Sequence, residues 1–414
     1  MAEFTGWKAV AEQALTAGKT GLIIGGFVTP APEAQTTTIQ PQLPPEEATI
    51  AVLTLTPAVR DRARGALLGL AVGDALGTTL EFEPRDDQPL HTEMLGGGPF
   101  SLAPGQWTDD TAMALALADS LLAGQGFDPQ DLATRFVSWW RQGSYSCTGQ
   151  CFDIGHATAE ALARFEVTGE PFAGSADPLS AGNGSIMRLA PAVLFSLRQD
   201  AGAADQLAMA QGRITHAAEQ CRQACSLLAV ILRDAIRGKP HPLRPRLRDG
   251  DPLIDKLALG TYRAKSRDQI RSSGSVVHTL EAALWAVSQT ENFEAALVLA
   301  VNLGEDADTV GAVTGQLAGA LYGASAIPQR WLEPLAWRDR RQQTRSSQVP
   351  SPARAEGQPR IRSSSCSPRA THSRGPRLCA ARRDGHAHRH AFGRDPRPRQ
   401  IAFVQRSRWQ RSRR

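Results

Sequence analysis

The sequence predicts an all-α protein built on one large helical domain. Residues 56–337 are rich in Ala, Leu, Val and Gly and contain few aromatic residues, a composition typical of closely packed helices. Apolar residues recur there at spacings of three and four, and the alternating pattern of a half-buried strand is scarce. A stretch of this length can bury one large core, so we predict a single compact domain over residues 56–337 with disordered flanks.

Residues 1–55 are predicted to form an N-terminal arm and a Pro-rich linker. A short amphipathic helix is expected within residues 1–30, and its apolar stripe consists of Trp7, Val10, Ala11, Ala14 and Leu15. The Pro, Thr and Gln content of residues 30–47 is typical of an extended spacer. Two interpretations stay open: a separable arm that binds a partner, or an N-terminal extension that is disordered or packs back on the core.

No targeting signal or membrane span is predicted. The N-terminus lacks a charged segment followed directly by a long apolar one, and no window of about 20 apolar residues exists. The expected location is the cytoplasm.

The domain begins with PAVRDRARGALLGLAVGDALG, where Pro57 can occupy a first helical turn. Gly65, Gly69 and Gly73 lie four residues apart in this helix. Each glycine weakens a helix by about 1 kcal/mol relative to Ala, so the spacing predicts close approach of another helix or a ligand. Further helices are predicted at 110–123, 130–141, 153–166, 185–198, 203–212, 217–237, 276–288, 292–303 and 309–322.

The charge is divided unevenly along the chain. Residues 338–414 contain 21 Arg, no Lys and 4 acids, a net charge of +17, so residues 1–337 carry 5 − 17 = −12. We expect residues 338–414 to be disordered, because they have no apolar periodicity. The acidic domain offers no basic surface for specific binding of nucleic acid, and it is compatible with divalent cations.

The six cysteines fall in the pairs Cys147/Cys151, Cys221/Cys225 and Cys366/Cys379. The first two pairs are four residues apart, a spacing that a soft metal can use on one helix face. No Cys- or His-rich motif completes a zinc set, so we interpret them as reduced core cysteines.

Two acidic motifs precede helices. Thr108, Asp109 and Asp110 lead into MALALADSLL, and Asp306, Asp308 and Thr309 lead into a helix with glycines every fourth residue. One acid is enough to cap a helix, whereas two repel each other unless a cation is present. Hard oxygen ligands at both helix starts can converge on a two-metal site.

Two glycine-containing loops can approach an anion. They are residues 180–188, SAGNGSIMR, and residues 143–149, GSYSCTG. Each can be an ordinary turn, but beside a metal site each becomes a candidate phosphate-binding loop.

The motifs RARGALLGLAVGDALG, GQWTDDTAM, YSCTGQCFDIG, GNGSIMRLAP, ITHA and GEDADTVGAVTGQLAGALYG, in this order, resemble the ADP-ribosylglycohydrolase family. The resemblance implies an all-helical fold, two Mg²⁺ or Mn²⁺ ions, and hydrolysis of ADP-ribosyl bonds. The metal ligands that it implies are Thr108, Asp109, Asp110, Asp306, Asp308 and Thr309. The implied substrate-binding residues are Ser144, Tyr145, Gly149, Asp153, Asn183, Gly184, Ser185, Met187 and His216.

The implied reaction removes mono-ADP-ribose from a protein side chain, with arginine as the expected linkage and serine or a small molecule as open alternatives. Asp109, Asp110 or Glu81 is the candidate general base, and the group that protonates the leaving group is not identified. The alternative function is an immunity protein that blocks an ADP-ribosyltransferase toxin through its N-terminal arm, with or without hydrolysis.

Overall fold

The computed structural model describes residues 5–17 and 53–336, and within these ranges the protein is helical, with isolated bridges but no strands. The predicted all-α fold is confirmed. The helices are α1 Thr5–Ala17, α2 Pro57–Gly77, α3 Asp109–Gly124, α4 Pro129–Gln142, α5 His156–Thr168, α6 Ala190–Phe195, α7 Ala201–Arg213, α8 Glu219–Ile236, α9 Pro252–Ala258, α10 Val276–Ser288, α11 Phe293–Val301, α12 Ala307–Tyr322 and α13 Gln329–Leu332. Short 3₁₀ turns connect several of them.

Most predicted helices are present with small shifts at their ends. The helix predicted at 185–198 is shorter, because residues before Ala190 form turns of the glycine loop. The helix predicted at 153–166 begins only at His156, since Asp153 has a positive φ of 57°. Helix α9 was not predicted, and its seven residues are too few to show a helical period.

Helices α2 and α12 pack antiparallel along a seam of small residues. Four pairs face each other: Gly65 with Gly319, Gly69 with Gly315, Gly73 with Gly311, and Gly77 with Ala307. A Cβ atom at Gly69 would lie 2.1 Å from the Gly315 carbonyl oxygen, so the two backbones are in direct contact. The predicted close approach is confirmed, and it brings the C-terminal end of α2 to the start of α12.

Helix α1 is part of the helical core, so residues 5–17 follow the alternative in which the N-terminal extension packs back on the domain, and not the separable arm. It packs on α2, α3 and α6, and its apolar residues Val10, Ala11, Ala14 and Leu15 are buried. Glu12 also forms ion pairs with Arg60 and Arg64 of α2. The helix was correctly predicted, and its apolar stripe packs on the protein's own core and not on a partner.

The predictions for residues 18–52 and 337–414, including Cys366 and Cys379, lie outside the described residues. Cys221 and Cys225 are buried on α8, as predicted. Cys147 and Cys151 lie half-buried in a loop and pack against the edge of the core, so the expectation of core cysteines is confirmed only in part for this pair. Among the described residues, no helix is both long enough and apolar enough to cross a membrane.

Candidate metal and substrate site

The ends of three helices meet at the centre of the candidate site. They are the last turn of α2 and the first turns of α3 and α12. The positive ends of the α3 and α12 dipoles favour negative charge at this point. The glycine seam sets the geometry, because Asp74 follows Gly73 and Asp308 follows Ala307 in the sequence.

The acids at this meeting point form two groups of three. Asp74, Asp110 and Asp308 form one group, and Glu81, Asp306 and Asp308 form the other. Within each group, one carboxylate oxygen per residue lies within 4.8 Å of the others. Asp308 belongs to both groups, so the two candidate cation positions are adjacent.

Asp74 is a site residue that the sequence analysis missed. Its Oδ1 accepts hydrogen bonds from the Thr108 amide and hydroxyl, both at 2.9 Å. Its Oδ2 accepts from the Thr111 amide at 3.0 Å and hydroxyl at 2.6 Å. Asp74 therefore fixes the start of α3. The signal available in the sequence was an acid next to Gly73 in the mostly apolar helix α2.

Glu81 and Asp306 form the opposite side of the centre. Glu81 is buried, and its Oε2 accepts the Ala307 amide at 2.8 Å, so it caps α12 from the end of α2. The Asn183 side-chain amide donates to Asp306 Oδ2 at 3.0 Å and to Thr279 Oγ1 at 2.9 Å. The structure thus brings together Glu81, the acidic motif that contains Asp306, and the glycine loop that contains Asn183.

The pKa values of these acids are shifted upward. Desolvation and then the charge of Asp308 raise the pKa of Asp74 and of Asp306 to about 7. The same two causes raise the pKa of Glu81 and Asp109 well above the usual range. The pKa of Asp110 is also raised, first by desolvation and then by the charges of Asp74 and Asp308. The raised pKa values indicate that the acids need a cation to be fully ionised together.

The donor set fits divalent metal ions. Asp110 Oδ1 and Asp308 Oδ2 are buried and have no hydrogen-bond partner among the described residues. Within the same ranges, the salt bridges do not include any acid of the two groups. Unpaired carboxylate oxygens in a buried site are what Mg²⁺ or Mn²⁺ would bind, so these clusters can hold metal ions.

The other predicted ligands adjoin these groups. The Thr309 hydroxyl donates to Asp110 Oδ2 at 3.4 Å, and the oxygen of the Thr108 hydroxyl, which donates to Asp74, lies 3.3 Å from the same Asp110 atom. The Thr309 amide donates to Asp308 Oδ1 at 2.7 Å. Asp109 is buried at the first position of α3 but belongs to neither group of three. The structure brings the six predicted ligands to one place, and their individual roles as ligands stay predictions.

The loop of residues 143–153 is attached to α4 and to the acidic centre at different points. Ser144 Oγ lies 2.7 Å from Ser138 Oγ, and the Tyr145 hydroxyl accepts from Arg135 at 2.8 Å, so both side chains bond α4. Gly149 has open space where a Cβ would lie. Asp153 is near the acids, since desolvation and the charge of Asp308 raise its pKa to about 11. The substrate-binding roles assigned to these four residues stay predictions.

The His216 ring packs against the loop of residues 182–188. The His216 ring would touch a Cβ added at Gly184, and its Nδ1 lies 2.8 Å from Thr215 Oγ1. Burial, with the nearby Arg188 charge, lowers the pKa of His216 to about 3, so the ring is neutral and supports the loop. Ser185 and Met187 are buried in the same loop, while the Arg188 guanidinium donates to the Gly184 carbonyl at 2.7 Å.

Comparison with known proteins identifies the family. The ADP-ribosylglycohydrolase profile matches residues 55–356. The chain belongs to the ADP-ribosylglycohydrolase family. It is 51% identical over 287 residues to the ADP-ribosylarginine hydrolase Tri1 of Pseudomonas putida (strain GB-1), an alignment covering 69% of this chain and 77% of that protein.

Two further proteins extend the comparison. The ADP-ribosyl-[dinitrogen reductase] glycohydrolase of Rhodospirillum rubrum is 36% identical over 286 residues, covering 67% of this chain and 92% of the relative. A solved structure described as an ADP-ribosylglycohydrolase-related protein complex is 44% identical with a TM-score of 0.61, covering 69% of this chain and 95% of that one. The family match includes every residue of the candidate site and begins after α1.

Proposed function

We propose that the protein is a hydrolase that removes mono-ADP-ribose from modified arginine side chains and uses two Mg²⁺ or Mn²⁺ ions. This proposal depends mainly on one observation. Two groups of three acids lie where three helix ends meet, and Asp308 belongs to both groups. The Pseudomonas putida relative and a Serratia proteamaculans (strain 568) relative, 46% identical over 286 residues, are both named ADP-ribosylarginine hydrolases, which supports arginine as the linkage.

The two groups of acids would hold the ions. Asp74, Asp110 and Asp308 would surround one position, and Glu81, Asp306 and Asp308 the other, with the Thr108 and Thr309 hydroxyls beside Asp110. Bound divalent cations would neutralise the acids, orient the ribose hydroxyls and increase the acidity of a water molecule. Asp74 would keep the first turn of α3 in place while the ions bind and leave.

Glu81 is better placed than Asp110 to act as the general base. Its Oε2 accepts the Ala307 amide, which fixes the position of the carboxyl group. Glu81 also lines an open cleft of about 660 Å³, whereas the side chain of Asp110 is fully buried. A general base must reach the substrate, so we assign this role to Glu81 and a charge-balancing role to Asp110.

ADP-ribose would lie between the two loops and the acids. Asn183 connects the glycine loop to Asp306, so a diphosphate bound on the loop amides would place the adjoining ribose near the second group of acids. Burial and then the charge of Asp308 raise the pKa of Asp153 in the other loop, which supports a position of this loop near the acids. Neutral His216 would act by supporting the loop and would not transfer protons near neutral pH.

The test is release of ADP-ribose from a defined peptide modified on arginine, with the same peptide modified on serine as the comparison substrate. Release with Mg²⁺ or Mn²⁺ and no release with chelator is the expected result, and metal titrations with each ion determine which one the site prefers. Asp306→Asn should abolish release, while Asp249→Asn, a change at an exposed acid in the loop before α9, should have no effect. Release that persists in chelator would reject the metal-dependent mechanism.

The toxin-blocking alternative has less support than hydrolysis. Of its proposed arm, residues 5–17 pack on the core, and residues 18–52 lie outside the described part of the chain. An ADP-ribosyltransferase toxin as partner and a cytoplasmic location therefore stay predictions from the sequence.

A further inference from the structure

A cleft beside the acidic centre gives Glu81 its access to the substrate, but the other residues that line this cleft have no role in the chemistry described above. It has a volume of about 660 Å³, and Glu81 connects it to the second group of acids. Residues from two consecutive segments, 79–83 and 88–99, form its walls. We refer to this feature as the Glu81 cleft.

The Glu81 cleft exposes large apolar side chains. Phe82 is 63% exposed, Leu90 is 72% exposed and Leu95 is 66% exposed, and all three line the cleft. Pro89 and Pro99 add further apolar surface. Contiguous exposed apolar surface next to a catalytic centre is typical of a binding site for a protein or ligand.

The charge of the cleft determines which part of the substrate fits it. The acidic residues in its lining are Glu81, Glu83 and Glu93, and no lysine or arginine is among the described lining residues. Arg330 pairs with Glu93, but the Glu83 carboxylate receives a hydrogen bond only from the neutral Gln88 side chain, at 3.2 Å, among the described contacts. An anionic lining repels a diphosphate and attracts a cation. The ADP half of the substrate therefore belongs on the loop side of the centre.

The backbone holds Phe82 at the mouth of this cleft. The Phe82 amide donates to the Glu305 carbonyl at 2.7 Å, and the Glu305 amide donates to the Glu83 carbonyl at 2.8 Å. Phe82 has φ of 63°, an unfavourable conformation for a bulky residue, so these bonds are needed to keep it there. Its ring also meets Phe100 edge-on at 6.2 Å. Such a side chain is preorganised for contact with a partner.

We propose that the Glu81 cleft binds the polypeptide segment that carries the modified arginine and favours segments with basic and apolar residues beside it. This inference rests on the proposed function. A polypeptide with an apolar residue near the modified arginine would cover Leu90 and Leu95, and a neighbouring basic residue would pair with Glu83. The cleft selects the protein, while the loops and acids bind the ADP-ribose.

The test compares two substrates that share the scissile bond. One is ADP-ribosylated agmatine, which has no polypeptide, and the other is an ADP-ribosylated peptide with lysine and leucine beside the modified arginine. The variants are Leu90→Ser combined with Leu95→Ser, and Glu83→Lys. We expect KM for the peptide to rise about tenfold in each, equivalent to about 1.4 kcal/mol, with KM and kcat for agmatine unchanged.

Matched controls separate the cleft from general surface effects. Leu247→Ser changes a leucine that is 92% exposed in another loop, and Glu170→Lys reverses an exposed acid beyond the end of α5. Both should leave KM for the peptide unchanged. A second peptide with glutamate in place of lysine should bind wild type poorly and bind Glu83→Lys better, a reversal that loss of structure cannot produce.

Each outcome decides between the inference and its alternatives. Peptide KM values that stay at the wild-type level in the cleft variants, while agmatine is cleaved normally, would overturn the inference and leave the proposed function intact. Absence of cleavage of both substrates by wild type would instead overturn the proposed function. Equal losses on both substrates, or a change of oligomeric state in Leu90→Ser/Leu95→Ser, would also overturn the inference by assigning these residues to site architecture or self-association.

Discussion

Replacing Gly69 by alanine should destabilise the protein even though alanine is the better helix former. The new Cβ would lie 2.1 Å from the Gly315 carbonyl oxygen, whereas ordinary van der Waals contact begins at 3.4 Å. Helices α2 and α12 would have to separate by about 1.3 Å along this line, which is 3.4 − 2.1. Neither helix can relieve the clash by a change of rotamer, because both contacting groups are backbone.

The expected size of the effect follows from two opposing contributions. Overpacking a core usually costs about 1–3 kcal/mol, and a rigid backbone contact should cost about 3–5 kcal/mol. The helix propensity of alanine offsets about 1 kcal/mol of this cost. The net loss of about 2–4 kcal/mol should lower Tm by about 5–12 °C at this domain size. The affinity for Mg²⁺ should also fall, since Asp74 and Asp308 lie on the separating helices.

The measurement is thermal unfolding followed by circular dichroism, with Mg²⁺ affinity measured by calorimetry. Gly124→Ala is the control, because Gly124 is an exposed helical residue at the end of α3 and its added Cβ would meet only Asp128, at 3.9 Å. This control should keep or slightly raise Tm. A Gly69→Ala variant as stable as the control would refute the close backbone contact, and with it the reason given for the position of the acids.

Three further predictions concern the acids and the first helix. Asp74→Asn should weaken Mg²⁺ affinity about 10–100-fold in calorimetry, because an amide cannot accept all four hydrogen bonds from α3, and unchanged affinity would contradict this role. The pKa values of Asp74 and Asp306 are raised from 3.8 to about 7, so folding is favoured below about pH 4, where both are protonated, and this stability is lost as pH rises through 7. Tm measured in chelator should therefore fall from pH 5 to 8, and added Mg²⁺ should restore it. The coupling would be contradicted if the difference in Tm between metal-bound and metal-free protein did not widen as the pH rises. Leu15→Ala should cost about 2–5 kcal/mol in denaturant unfolding, because Leu15 is 1% exposed, whereas exposed Gln13→Ala should cost little. Equal stability of these two variants would instead favour the interpretation that residues 5–17 belong to a separable arm.

The features that were predictable from the sequence are those that depend on local spacing. The period of apolar residues is set by the helix itself, so nearly all helices were found, with errors at ends where loop residues such as Asp153 adopt a positive φ. Glycines at every fourth position are unfavourable in an isolated helix, so their spacing indicated the contact between α2 and α12. The two acidic motifs were recognisable because each precedes a helix.

The missed features depend on contacts between distant parts of the chain. Asp74 is a single acid in an apolar helix, and its role appears only when Thr108 and Thr111 are brought to it by folding. The amphipathic stripe of α1 indicated that the helix would be buried but not which surface would bury it. The side chains of Ser144 and Tyr145 could not be placed either, since a glycine-rich loop can face either of its neighbours.

The glycine seam and the acidic centre are energetically connected. Metal-free carboxylates repel each other across the ends of α2 and α12, and this repulsion favours separation of the two helices. Side chains larger than hydrogen at the seam would force the helices apart and would leave the acids too far apart to share ions. Because the two backbones are in direct contact, separating them would lose van der Waals attraction along the seam, so Asp308 stays close to both groups of acids before a cation binds. The seam thus preorganises the site, so that binding energy is not spent on moving helices.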